Sequence, residues 1–274
     1  MNELKLKKPM IIKICLLLFL CFLCAGCAKT TGEPLTLDNL AGKKVAAMIG
    51  YSTDYILSAA NYGLDIYRYD AYSDMQLALK FHRVDAIAME MDEAYVFCRI
   101  EPDYKIALHA KNQIEYGYMF SSDRKEFLPE FNQFIQKFKK TEEYADLLRR
   151  VEASAYAPYQ AKKVKNVVTT DRVLKVAAFD GWEPVSYINA STGEWEGADV
   201  ELITHFANSL GAKVELIDMS WNQMLIELGS GLVDMMLCPD SLMLAKDLEM
   251  GGHITMSDPV FLKDIVLIVN KEEK

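Results

Sequence analysis

VLKVAAFDGWEPVSYINASTGEWEGADVELITHFANSLGAKVELIDMSWNQMLIELGSGLVDMMLCPDS, residues 173–241, is the stretch whose reading decides the fold. Its apolar periodicity predicts strand, turn, short strand, hairpin, amphipathic helix, strand, helix and strand, in that order. A polar or aromatic cluster follows each parallel-type strand, at 179–182, 220–221 and 239–241. This is half of an α/β protein of the ligand-binding kind.

Upstream the alternation continues. Strands are expected at 44–49, 64–69 and 84–89, helices at 52–61, 72–81 and 92–100, and further strands near 104–109 and 115–120. Strands alternating with helices indicate a parallel sheet covered on both faces. Helical patterns follow at 126–140 and 141–150. Residues 153–171 are weakly patterned; as a connector they could span roughly 60 Å at about 3.3 Å per residue, enough to join points anywhere on a domain.

Five short motifs in the quoted half and just after it stand in a telling order: Trp182-Glu183-Pro184, the helix start 197–202 (GADVEL), Trp221, Val233-Asp234, and Ser257-Asp258-Pro259-Val260-Phe261. Together they resemble the first lobe of the type 2 solute-binding proteins that capture polar amino acids for ABC transporters. Gly42-Lys43-Lys44-Val45 with Gly50-Tyr51-Ser52-Thr53, Leu77-Ala78-Leu79 with Arg83-Val84-Asp85-Ala86-Ile87, and Tyr116-Gly117-Tyr118 resemble that family's second lobe. The helices at 126–150 resemble its closing helices.

The resemblance covers nearly all of residues 36–270. It implies an α/β fold of two Rossmann-like lobes joined by two hinge strands, with crossings near 114–119 and 260–264. The lobe order is that of a circular permutation: 36–117 as the family's second lobe, 118–152 as closing helices of lobe one, 153–171 joining the usual termini, 172–262 as lobe one, and 263–274 as a hinge strand returning to lobe two. Surface termini lying close together make such a rearrangement tolerable. The competing account is the end of one tandem domain followed by the beginning of another.

Residues 1–27 read as a targeting segment, with Lys5, Lys7, Lys8 and Lys13 ahead of an apolar run at 14–23 that is short for a bilayer. Leu23-Cys24-Ala25-Gly26-Cys27 resembles a bacterial lipobox, although Cys24 stands where Leu is commonest. The resemblance implies a lipid on Cys27, the tether 28–35, and a place on the outer face of the cell membrane. An ordinary signal peptide or anchor helix is the plainer alternative. Four of six cysteines lie in this segment, leaving Cys98 and Cys238, expected as single thiols rather than a pair. With 274 residues, 51% of them apolar, the chain can bury one large or two modest domains, and a formal net charge of −9 makes nucleic acid a poor partner.

In open α/β sheets, ligands sit beyond the carboxyl ends of the strands. The residues there are 49–53, 89–90, 179–182, 220–221 and 239–241, all sets with polar or aromatic members. The resemblance then implies roles. Trp182 and Trp221 match aromatics that sandwich the ligand, with core packing as the alternative. Ser241 matches a hydroxyl and N–H that bind an α-carboxylate, and Pro239 a backbone carbonyl that accepts from the α-ammonium. Glu90 matches the acidic partner of that ammonium. Lys246 stands where the family has an arginine; a point charge replaces a fork, which implies a weaker grip, a ligand other than a standard α-amino acid, or a plain surface lysine. Ser52 and Thr53 open a helix and could take an anion or simply cap it. Asp180 lies one position after the family's aspartate, which is Phe179 here, and its role is open.

No cofactor or metal is expected, since His82, His109, His205 and His253 form no metal or triad spacing, and no GxSxG, HExxH, phosphate-loop or GxGxxG motif occurs. The expectation is a binding protein that takes a small polar ligand, an amino acid or related amine, and passes it to an ABC transporter permease. A subunit that senses ligand for a membrane receptor is the alternative, and a lyase on the same fold a weaker one.

Overall fold

The computed structural model describes residues 35, 39–49, 51–110, 114–124, 126–243 and 252–271, apart from the side chain of Trp221. The expected signal segment, Cys27 and Lys246 lie outside the described residues. The first sheet grows from β1 (Lys44–Met48), whose last four residues are buried. A strand buried on both faces needs helices on either side, and the chain supplies them. After β1 come α1 (Ser52–Ala60), β2 (Asp65–Tyr69), α2 (Tyr72–Lys80), β3 (Ala86–Glu90), α3 (Met91–Ile100) and β4 (Tyr104–His109), each end within two residues of its expected place.

Next come β5 (Ile114–Gly117), β6 (Met119–Ser121), α4 (Phe127–Phe138) and α5 (Glu142–Ala153). The single strand expected at 115–120 is thus two. β5 pairs with its neighbours in one sheet and β6 in another, and the break falls at Tyr118, whose N–H donates to Ser257 Oγ at 2.9 Å. Gly117 permits the approach, because a Cβ there would lie 3.0 Å from Leu242 Cδ2 and from two oxygens of Ser257. Helix α4 buries Phe127, Phe131, Ile135 and Phe138, one stripe at helical spacing. Phe131 meets Phe206 edge to face at 5.1 Å.

The quoted stretch forms β7 (Val173–Ala178), β8 (Tyr187–Ile188), β9 (Trp195–Glu196), α6 (Ala198–Leu210), β10 (Lys213–Asp218), α7 (Trp221–Gly229) and β11 (Met235–Met236), followed by β12 (Asp240–Ser241). Last are β13 (Ile254–Met256), β14 (Phe261–Lys263) and β15 (Ile265–Asn270). Gly197 starts α6 at φ 136°, and an added Cβ would meet Val185 O at 2.1 Å, so no other residue fits this turn.

The architecture is mixed α/β with two five-stranded sheets. Their orders, β2-β1-β3-β15-β4 and β10-β7-β11-β6-β13, correspond strand for strand. Each is a parallel set with one antiparallel strand inserted between its third and fourth members, β15 in the first and β6 in the second. A three-stranded sheet, β12-β5-β14, stands where the chain passes between the two. Taken in chain order, the lobe of the β2-β1-β3-β15-β4 sheet is the first and that of the β10-β7-β11-β6-β13 sheet the second, the reverse of the numbering used for the resemblance. The segment 157–171 has no regular element but is held along this second lobe. Asn166 bridges Asn208, Ala212 and Val214, and the N–H groups of Thr169 and Thr170 donate to Gly211 O. Cys98 and Cys238 are free thiols. No described helix is long and apolar enough to cross a membrane.

Candidate functional site

The carboxyl ends of the parallel strands face each other across one cavity of about 280 Å³. From the first lobe come Tyr51 and Ser52 after β1, Tyr72 after β2, and Glu90 and Glu93 at the end of β3 and the start of α3. From the second come Phe179, Gly181 and Trp182 after β7, Met224 of α7, and Cys238, Pro239 and Asp240 after β11.

Behind Glu90 lies a chain of polar contacts. Ser52 Oγ donates to Glu90 Oε1 at 2.6 Å, and Tyr116 OH donates to Ser52 Oγ at 3.1 Å. Lys263, buried on β14, donates to Glu90 Oε2 at 3.1 Å, pairs with Asp92 at 2.7 Å, and lies 5.0 Å over the ring of Tyr116. Burial opposes charge on this ammonium, but Asp92 and Glu90 outweigh it and hold the lysine well above its usual range. Burial pushes Glu93 up to about 8, although the hydroxyl of Tyr72 donates to it. Burial and then Glu90 push Asp240 up to about 7. Burial keeps the Cys238 thiol protonated. Among the described residues no group of three or more His, Cys, Asp or Glu is placed to hold a metal ion.

Ser52, Glu90, Trp182 and Pro239 therefore line one cavity. Thr53 is buried in α1 and does not line it. Ser241 is fully buried behind the wall, its N–H donating to Asp240 Oδ1 at 2.6 Å. Asp180 is exposed and braces a turn by accepting from the N–H of Ile188 at 2.6 Å. Trp221 opens α7.

Residues 174–274 match the family model of the bacterial extracellular solute-binding proteins, family 3. That segment holds β7 to β15, hence most of the second lobe and the strand that returns to the first. No curated protein matches the chain in sequence. Among solved structures, the chain is similar to the ligand-binding component of an ABC-type import system from Staphylococcus aureus with zinc bound. The identity is 11%, over 85% of this chain and 67% of that one, with a TM-score of 0.43. It is similar to the probable amino-acid ABC transporter extracellular-binding protein ytmK from Bacillus subtilis at 11% identity, over 86% and 87%, TM-score 0.41. It is also similar to the VFT2 domain of BvgS from Bordetella pertussis at 12% identity, over 86% and 83%, TM-score 0.41. At such similarity no residue role is carried over.

Sequence reasoning left out Tyr72, Glu93, Met224 and Cys238 as site residues, and placed Asp240 in the strand-end set 239–241 without giving it a role. Two carried a signal: Tyr72 follows the end of β2 as Ser52 follows that of β1, and Glu93 lies one helical turn beyond Glu90. A second cavity, about 400 Å³, lies between α3, α5 and the start of α6, with Asp199 and Lys263 in its wall. Burial pushes Asp199 up to about 7. An acid whose folded value is raised stabilises the protein fully below its unfolded value, near 3.9, and loses that stability as pH rises through 7. Asp199→Asn is expected to flatten the fall in unfolding free energy, read by urea denaturation, between about pH 4 and pH 8, by up to a few kcal/mol. Parallel curves for the two proteins would remove Asp199 from the account.

Proposed function

We propose that the chain is an extracytoplasmic solute-binding protein, lipid-anchored at Cys27, that closes two lobes on a small polar ligand, an amino acid or related amine, and delivers it to an ABC transporter. The observation that carries this reading is the cavity walled by strand ends from both sheets, beside the strands on which the chain crosses between them. Contacts from both lobes favour closure, and a ligand shifts the lobes only by its preference for the closed state. The family match over residues 174–274 supports the same class. Under this reading the order of the lobes is a circular permutation, the crossings at 114–119 and 260–264 are the hinges, and β6 and β15 are the strands that follow them into each large sheet.

A thermal-shift screen against amino acids, small peptides and amines tests it. Ligand at about a hundred times its dissociation constant stabilises the native state by about 2.7 kcal/mol. The shift is expected to vanish in Glu90→Ala and in Trp182→Ala, with the ligand recovered unchanged. Silence across the panel from well-folded protein would end this reading.

A further inference from the structure

The cavity is one-sided in charge. Glu90 and Glu93 reach it from the first lobe and Asp240 from the second, while no lysine, arginine or histidine is among its described lining residues. Lys263, the described cation behind Glu90, is committed to Glu90 and Asp92. Four aromatic residues share the remaining wall with Ser52, Gly181, Met224, Cys238 and Pro239. Tyr51 and Tyr72 meet edge to face at 6.3 Å on one side, and Phe179 and Trp182 stand on the other. An anion placed here meets three carboxylates in a partly dehydrated space. An organic cation meets the same carboxylates as partners and the ring faces as a second attraction.

Resting on the binding-protein reading above, we infer that the ligand is an organic cation held by its ammonium or guanidinium group, an amine without an α-carboxylate rather than an amino acid. The cavity volume suits one small molecule of this kind. Binding also displaces protons. With the cavity empty, Glu93 and Asp240, held up to about 8 and about 7 by burial, keep much of their proton at neutral pH, Glu93 more than Asp240. The groups facing them are Tyr51, Tyr72, Cys238, Glu90, Asp92 and Lys263; only Lys263 adds positive charge, and the two tyrosines and the thiol stay neutral. A cation favours the ionised carboxylates, so affinity rises with pH through 7 and 8 and protons leave as ligand enters.

The test is calorimetric titration of the full protein with pairs that differ only by the carboxylate: arginine and agmatine, lysine and cadaverine, ornithine and putrescine. In at least one pair the amine is expected to bind about ten-fold or more tightly than its amino acid. Titration in two buffers of different ionisation enthalpy is expected to show net proton release near neutral pH, and Glu93→Gln to lose most of the affinity and part of that release. Asp240→Asn gives a second reading should Glu93→Gln fail to fold. An amino acid binding more tightly than its amine in every pair, or amine binding with no proton release, overturns the inference. If amino acids or neutral solutes bind and amines do not, the cation assignment falls while the two-lobe clamp stands; if no solute binds at all, both fall.

Discussion

Replacing Lys263 by methionine is expected to destabilise the protein by about 3–5 kcal/mol near pH 8, and by distinctly less near pH 5. The lysine is buried on β14, in the three-stranded sheet between the lobes, and its ammonium touches Glu90 and Asp92. Its field also lowers the proton affinity of Glu93, Asp240 and Asp199. Methionine fills much of the same volume over the Tyr116 ring, so the main loss is charge rather than packing. Five carboxylates then share a poorly hydrated region without a central counter-charge. In more acidic buffer they can take up protons, which relieves the repulsion and narrows the difference from the parent protein. Urea denaturation at both pH values reads this directly. Equal losses at the two would make Lys263 a packing residue, and Lys263→Arg, which keeps the charge, is expected to fall between the variant and the parent.

The layers of the fold were legible because each strand carries its own period. Lys44–Met48 and Val173–Ala178 announce themselves as buried runs, and Phe127, Phe131, Ile135 and Phe138 as one helical stripe. The break at Tyr118 was not legible, since it depends on which strands lie alongside β5 and β6. The site was half legible for the same reason. Strand ends named the neighbourhood of Ser52, Glu90, Trp182 and Pro239. Choosing between Asp240 and Ser241 required their register against Gly117 and Tyr116, because adjacent residues of a strand point to opposite faces. Asp240 takes the cavity side and Ser241 the interior. The segment 157–171 was unreadable in a different way. Its order comes from side chains bonded to a neighbouring backbone, as with Asn166 and Asn208, and such contacts leave no period in a sequence.

That segment carries the second large expected effect, in Glu201→Ala. Glu201 is buried on α6 and receives Arg150 of α5 through both oxygens, at 2.8 and 2.6 Å. Its Oε1 also accepts from Tyr159 OH at 3.0 Å and from the N–H of Lys162 at 2.7 Å. One carboxylate thus ties a closing helix, the strap 157–171 and the first helix of the second lobe together. Its removal leaves the mostly buried Arg150 with Asp146, the hydroxyl of Tyr159 and the carbonyl of Gln160, and Tyr159 without an acceptor on α6. The expected loss is about 3–5 kcal/mol, the scale for breaking one side of a buried pair. A second readout separates a strap from a loose linker. Lys162, Lys163 and Lys165 offer trypsin sites within the strap, and local release exposes them at a lower free energy than global unfolding does. Glu201→Ala is expected to be cut there much faster than the parent under native conditions, and Arg150→Lys, which keeps charge but not the two-pronged geometry, at an intermediate rate. Unchanged urea midpoint and cleavage rate would mean that 157–171 merely joins α5 to β7 and that the second lobe holds its shape without it.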